Sequence, residues 1–252
     1  MFDCSDMAMT IDSDLDDPRI DGSLLRCVPA TDRLGSVLLV GVVHDHPASI
    51  FRVTRVVEAV SPDVLAVELP PLATPLFQLY GSDRHVPPRL GGEMSAAIQA
   101  AAGAKTVGID APNLAYLKLL FRSLYAERVS IDVGRSVLRD LVSSSAHAIA
   151  CRLGAVIGAV TPLRLRLYSP ISYDSSLLDS PAAQAEHETR HLTQRQSFLR
   201  AIETPLPIEL VDTAREGGMV IRLTDLRESG DIVAVVGMEH LDRVYTQLVE
   251  SS

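Results

Sequence analysis

Residues 36–44 read SVLLVGVVH and residues 232–240 read IVAVVGMEH. Each is a short Val-rich run that reaches a Gly and, three residues later, a His. An apolar run of this length, rich in β-branched side chains, is what a strand covered on both faces requires. Two further runs lie between them, 64–68 (VLAVE) and 106–110 (TVGID), and both end in an acid. Helical spacing fills the gaps. In 49–60, Ile50, Val53, Val56, Val57 and Val60 share a face, and Pro62 restricts the residue before it and ends the helix. Further helices are predicted over 72–80, 91–102, 111–128, 132–153, 181–203 and 239–249. The stretch with Pro162, Pro170 and Pro181 reads as a loop. Buried strands joined by helices predict an α/β fold with a mostly parallel sheet flanked by helices.

Composition narrows the function. The chain has 252 residues, 47% of them hydrophobic, enough for one sizeable core. Residues 23–252 are expected to form a single domain. Residues 1–22 hold seven Asp against one Arg and read as a solvated, disordered acidic tail. The net charge of −9, the absence of Trp and the 4% aromatic content exclude the basic or stacking surfaces of nucleic-acid binders. Cys4, Cys27 and Cys151 are odd in number and far apart, which argues against a disulfide framework and for a reducing compartment. The start MFDCSDMAMT lacks the basic and apolar parts of a signal peptide. The longest apolar stretch, 146–160, is shorter than the ~20 residues of a membrane span. The expectation is a cytoplasmic protein with no membrane span; a homo-oligomer is compatible with all of this.

In open parallel sheets, ligands bind beyond the carboxyl ends of the strands. The strand ends here present His44, Glu68, Asp110 and His240. Two imidazoles and two carboxylates on one sheet edge suit a divalent metal, and a metal-bound water is a hydrolytic nucleophile. The same set suits acid–base chemistry without metal. Each Gly of the two GxxH motifs would admit a close neighbour where a Cβ would intrude. His46 and His85 read as loop histidines. His187 and His191, four apart, read as a charged, solvated helix face rather than a ligand pair. No GxSxG, GxxxxGK[ST] or GxGxxG motif is present, so nucleotide chemistry has no local support.

Four blocks, taken together, resemble a known family. They are GVVHDHPASIFRVTRVVEAVSPDVLAVELPP (41–71), GGEMSAAIQAAAGAKTVGIDAPNLAYLKLLFRSL (91–124), TQRQSFLRAIE (193–203) and IVAVVGMEHLDRV (232–244). In content and order they are similar to the TraB/PrgY pheromone-shutdown family. That family sits in a wider group with Tiki proteases, GumN-like proteins, erythromycin esterases and ChaN-like haem-binding proteins. The resemblance implies that fold, with a helical insertion, and a metal-dependent, peptidase-like hydrolase acting on a peptide or a related amide or ester. It implies His44 and His240 as ligands of Zn, Mn or Co, with Glu68 as ligand or general base. Glu93 of Gly-Glu-Met and Asp110 become substrate-side acids, and Arg195 a stabiliser of negative charge. The alternative it allows is a non-catalytic module that binds a peptide or a haem-like ligand. The chain departs from the family where Ala111-Pro112 follows Asp110 and Gln196 follows Arg195.

Overall fold

The structure, a computed structural model, describes Cys4 and residues 17–201 and 205–251. A five-stranded sheet forms its centre, in the order β1-β2-β5-β3-β4. The strands are β1 (Leu25–Val28), β2 (Val37–Val42), β3 (Val64–Val67), β4 (Lys105–Gly108) and β5 (Ile232–Gly237). The four expected strands are all present and pair in parallel. Strand β1 was not expected; it adds antiparallel to the β2 edge. The helices are α1 (Pro47–Val60), α2 (Thr74–Gly81), α3 (Gly92–Ala100), α4 (Leu114–Ala126), α5 (Ile131–Val160), α6 (Pro181–Ala201), α7 (Leu206–Leu226) and α8 (Met238–Glu250). Helix α5 runs seven residues past the expected 153, and α7 was not expected at all.

Strand side chains alternate between two cores. Leu38, Val40, Val42, Leu65, Val67, Val233 and Val235 meet residues of α1, α2 and α3 on one face. Val37, Leu39, Val64, Ala66, Ile232, Ala234 and Val236 meet residues of α7 and α8 on the other. Every residue of β2, β3 and β5 is buried. This is why these runs are apolar at every position, and each buried Val or Leu adds ~1.5–3 kcal/mol.

Two expectations change here. The proposed acidic tail lies mostly outside the described residues; at its end Asp17, Arg19 and Ile20 are half-buried, while Pro18, Asp21 and Gly22 are exposed. Arg19 stands over the Phe51 ring, and its carbonyl accepts from Arg52 Nε at 2.9 Å. The cysteines were not expected to pair, yet Cys4 is disulfide-bonded to Cys27 of β1, with Cα atoms 5.7 Å apart. The pairing is local to the edge strand, which sequence spacing alone does not reveal.

Candidate functional site

The last strand in the chain, β5, lies between β2 and β3, with Val42 opposite Gly237 and Val67 opposite Val235. Both GxxH segments and Glu68 therefore leave the sheet side by side, although they come from opposite ends of the chain. The two motif glycines make this approach possible. A Cβ on Gly41 would lie 2.4 Å from Met238 Sδ, and one on Gly237 would lie 3.1 Å from Glu68 Oε2.

His44 stands just past β2. Its Nδ1 donates to Glu93 Oε1 at 2.7 Å, and Glu93 Oε2 accepts the Asp45 N–H at 2.8 Å. Glu93, in the first turn of α3, is buried. The hydrogen bond to Glu93 raises the His44 pKa to about 9; burial opposes this, and the charges of Glu93, Glu68 and Glu239 outweigh it. With Nδ1 on a carboxylate, Nε2 is the nitrogen left for chemistry. Tyr173 holds the His44 carbonyl from outside at 2.8 Å.

His240 repeats the arrangement more deeply. Its Nδ1 donates to Glu216 Oε1 at 2.9 Å, and its Nε2 lies 3.7 Å from Glu68 Oε1. Burial disfavours its charge, but Glu216 and Glu68 outweigh that and the net shift is upward. Glu68 accepts from Arg215 Nη2 at 3.0 Å and from the Gly237 N–H. Burial, then the neighbouring Asp110 charge, pushes its carboxyl up. Asp110 takes Arg215 in a fork, with Nε to Oδ1 at 2.9 Å and Nη2 to Oδ2 at 2.8 Å. Burial alone would depress the Arg215 pKa; Asp110, Glu68 and Asp212 raise it instead.

A cavity of about 230 Å³ opens in front of His44. Val42, Val43, Ile171, Leu192 and Met238 give it apolar walls, with Tyr173, His191, Arg195 and Glu239 beside His44. Arg195 Nη2 donates to Glu239 Oε1 at 3.0 Å. Burial would raise the Glu239 pKa, but its own backbone N–H, Arg195 and the histidines outweigh this and keep it below its ordinary value.

Thus His44, Glu68, Glu93, Asp110 and His240 gather at the sheet edge, in two layers. His44 and Arg195 line the cavity, whereas Glu68, Asp110 and His240 form a buried layer knit by Arg215. Arg215, Glu216 and Glu239 are the residues that sequence reasoning missed. One signal was available: Glu216 falls in register with Met219, Leu223 and Leu226, all buried on α7. An acid inside an apolar stripe needs a buried partner.

Three other histidines, His46, His187 and His191, depart from their sequence reading. His46 is not a loop residue but the buried N-cap of α1, accepting the Ala48 N–H on Nδ1 at 3.2 Å. Its Nε2 must then carry the proton, which it donates to His187 Nδ1 at 3.0 Å. Burial lowers its pKa to about 4, so it is neutral. His187 and His191 are therefore not a solvated face; both pack their rings on Tyr173. Helix α6 is held down by a buried ion pair between Arg52 and Glu188, and Ser49 donates to Glu188 as well. This pairing places His191 and Arg195 over the cavity. His85 lies exposed against Asp83 and Arg89.

The donor set fits a resident metal only in part. Two imidazoles have Nδ1 fixed by carboxylates, as metal-binding histidines do. Yet Arg215 occupies both Glu68 and Asp110, and a guanidinium beside an intended cation is unfavourable. Among the described residues, no three His, Cys, Asp or Glu groups come together as ligands of one ion. As placed, with Arg215 on Glu68 and Asp110, these residues do not fit a bound metal. No protein-family model, curated protein or solved structure matches the chain.

Proposed function

We propose that the chain is a TraB-like hydrolase of the erythromycin-esterase and ChaN-like fold, cleaving an amide or ester in a peptide or small molecule by acid–base chemistry. One observation carries this: an imidazole held charged by a buried carboxylate shares a small, mostly apolar cavity with an ionised carboxylate. A substrate carbonyl in that cavity would meet Arg195 and the His44 imidazolium, which offset charge developing on its oxygen. Glu239 takes a proton from water, and the water oxygen bonds to the carbonyl carbon. As the carbon–nitrogen or carbon–oxygen bond breaks, His44 Nε2 gives its proton to the leaving group. The proton on Glu239 returns to His44 through solvent, which restores both groups. The buried layer of Glu68, Arg215, Asp110, His240 and Glu216 fixes the strand ends that carry His44 and Glu239.

The test is hydrolysis of p-nitrophenyl esters and of short peptides by purified, chelator-treated protein. His44→Gln and Glu239→Gln should each cost at least ~100-fold, the usual weight of a general acid or base. Activity unchanged in both variants would refute the assignment. Saturable peptide or haem binding without turnover would favour the binding-module alternative.

The carboxylate-bound Nδ1 atoms favour a second reading, a divalent-metal hydrolase. In it Arg215 would first have to release Glu68; His44, His240 and Glu68 would then be the residues to hold Zn, Mn or Co, which would supply a Lewis acid. Metal analysis, and activity lost on chelation and restored by one of these ions, distinguishes it. A cytoplasmic location also stands as a proposal, and the Cys4–Cys27 bond counts against it. Counting thiols in protein isolated under alkylating conditions decides.

A further inference from the structure

Helices α4 (Leu114–Ala126) and α7 (Leu206–Leu226) come close together where α7 carries Gly217-Gly218. A Cβ on Gly217 would lie 2.8 Å from Leu119 Cδ1, and one on Gly218 would lie 3.2 Å from the Tyr116 backbone nitrogen. One turn further along α7, a cavity of about 650 Å³ is lined by Ile221, Arg222 and Asp225 of α7 and by Leu114, Lys118 and Arg122 of α4. It shares no lining residue with the cavity in front of His44.

Its charge runs against that of the chain. The sequence carries −9, yet three cations line this cavity, Lys118, Arg122 and Arg222, against one acid, Asp225. Arg52 and Arg215, also drawn into the fold, both meet carboxylates. The three cations of the cavity have no hydrogen-bond or ion-pair partner among the described residues. Lys118 and Arg122 are exposed, so water serves them, but Arg222 is half-buried. Its Nε is closed off from solvent with no hydrogen-bond partner among the described residues. A guanidinium held in that state is costly and calls for an acceptor. At the start of α4, Asn113 caps the Tyr116 N–H. The N–H groups of Leu114 and Ala115, which also line the cavity, donate to no described residue.

We propose that this cavity binds a small phosphate monoester, its phosphate held by Lys118, Arg122 and Arg222 and its organic body set against Pro71, Leu119 and Ile221. This goes beyond the hydrolase reading and does not depend on it. Charge chooses the ligand. Three cations against one acid leave a surplus of two positive charges, and a phosphate monoester carries roughly −1.5 to −2 at pH 7. A carboxylate brings a single charge, which one guanidinium fork satisfies. Guanidinium groups and the free N–H groups of a helix start both suit phosphate oxygens. A nucleic acid is disfavoured, because a chain of net charge −9 repels a long polyanion. The volume falls within the roughly 300–1,000 Å³ of small-molecule sites.

Calorimetric titration of the full chain with phenyl phosphate should show saturable binding at one site, tighter than that of inorganic phosphate, which lacks the apolar body. Lys118→Gln and Arg122→Gln, both at exposed side chains, should each weaken it about 10-fold. Arg222→Gln should weaken it at least as much, and Asp225→Asn should tighten it. If Arg222→Gln does not fold, as judged by circular dichroism, the other three variants decide. No saturable binding, affinity unchanged in both Lys118→Gln and Arg122→Gln, or Asp225→Asn weakening the complex overturns the proposal. So does binding lost with Arg195→Gln instead, which would place the phosphate in front of His44. Equal affinity for inorganic phosphate overturns the role given to the apolar wall. A phosphoserine peptide that binds where phenyl phosphate does not would assign the cavity to a protein segment and overturn the small-molecule reading.

Discussion

Replacing Glu93 by Gln keeps the side chain's size and removes the charge beneath His44. The hydrogen bond to Glu93 is the largest influence on that imidazole, and it lifts the pKa from the ordinary 6.5 to about 9. At ~1.4 kcal/mol per pH unit this difference is worth ~3 kcal/mol at face value. The His44 side chain is 34% accessible, however, and solvent screening reduces the figure to ~1–2 kcal/mol. The sign follows from linkage. A group whose pKa is higher in the folded protein adds stability that is complete below pH 6.5 and is lost as the pH rises through about 9. Glu93→Gln should therefore lower unfolding free energy by ~1–2 kcal/mol at mildly acidic pH and by little once His44 is neutral in both proteins. Comparing variant with wild type at each pH cancels the other titrating groups. The direct assay is an NMR titration of the His44 Cε1–H, assigned with His44→Gln, alongside urea unfolding. The midpoint should sit near 9 in wild type and fall toward 6.5 in the variant, with Glu68 and Glu239 retaining part of the rise. A wild-type His44 that titrates at its ordinary value, or a midpoint that Glu93→Gln leaves in place, refutes the dyad.

Arg215→Met would leave Glu68 and Asp110 buried without their counterion, at a cost of ~3–5 kcal/mol. Calorimetry should show Tm lower by about 10 °C at neutral pH, with a smaller loss in acid, where Glu68, its carboxyl pushed up by burial, takes a proton. Gly41→Ala puts a Cβ within 2.4 Å of Met238 Sδ and 2.8 Å of Leu241 Cδ2. It should cost ~1–3 kcal/mol, and Met238→Ala in the same chain should recover part of that in urea unfolding. Opening the Cys4–Cys27 bond with reductant releases a loop of 23-residue separation and should cost about 3 kcal/mol. A melting temperature unaffected by reductant would count against the bond.

The parts of the fold legible in the sequence are those where one physical demand dominates. A strand buried on both faces has to be apolar throughout, so β2, β3 and β5 stand out. Strand β1 does not, because Leu25, Arg26 and Cys27 are only partly buried and the strand ends at four residues. Helix α7 is obscured by its own composition. Gly217-Gly218 in its middle lowers helix propensity, and only packing against α4 and the sheet overrides that. At the site, the strand-end residues were readable because parallel topology fixes where strand ends go. Their partners were not, since Arg215 reaches Glu68 across 147 residues of sequence. The inward turn of His187 was hidden for the same reason: its partner His46 is 141 residues away.

The position of β5 has a consequence for how the site comes into being. It is last in the chain, yet it supplies the shared edge that joins β2 to β3. Until residues 232–237 insert, the β1–β2 pair and the β3–β4 pair share no backbone hydrogen bonds. Glu68 then lacks the Gly237 N–H, and His44 lacks Glu239 across the cavity. No chain that stops before β5 holds a partial site of lower activity, because the groups that set each other's charge have not met. Pairings of such high sequence separation are slow to form, so the proposed site is complete only once β5 pairs with both β2 and β3. A chain ending at residue 230 should accordingly show neither the raised His44 titration nor cooperative unfolding. A truncated chain that kept both would mean that β2 and β3 can organise the edge without the strand between them.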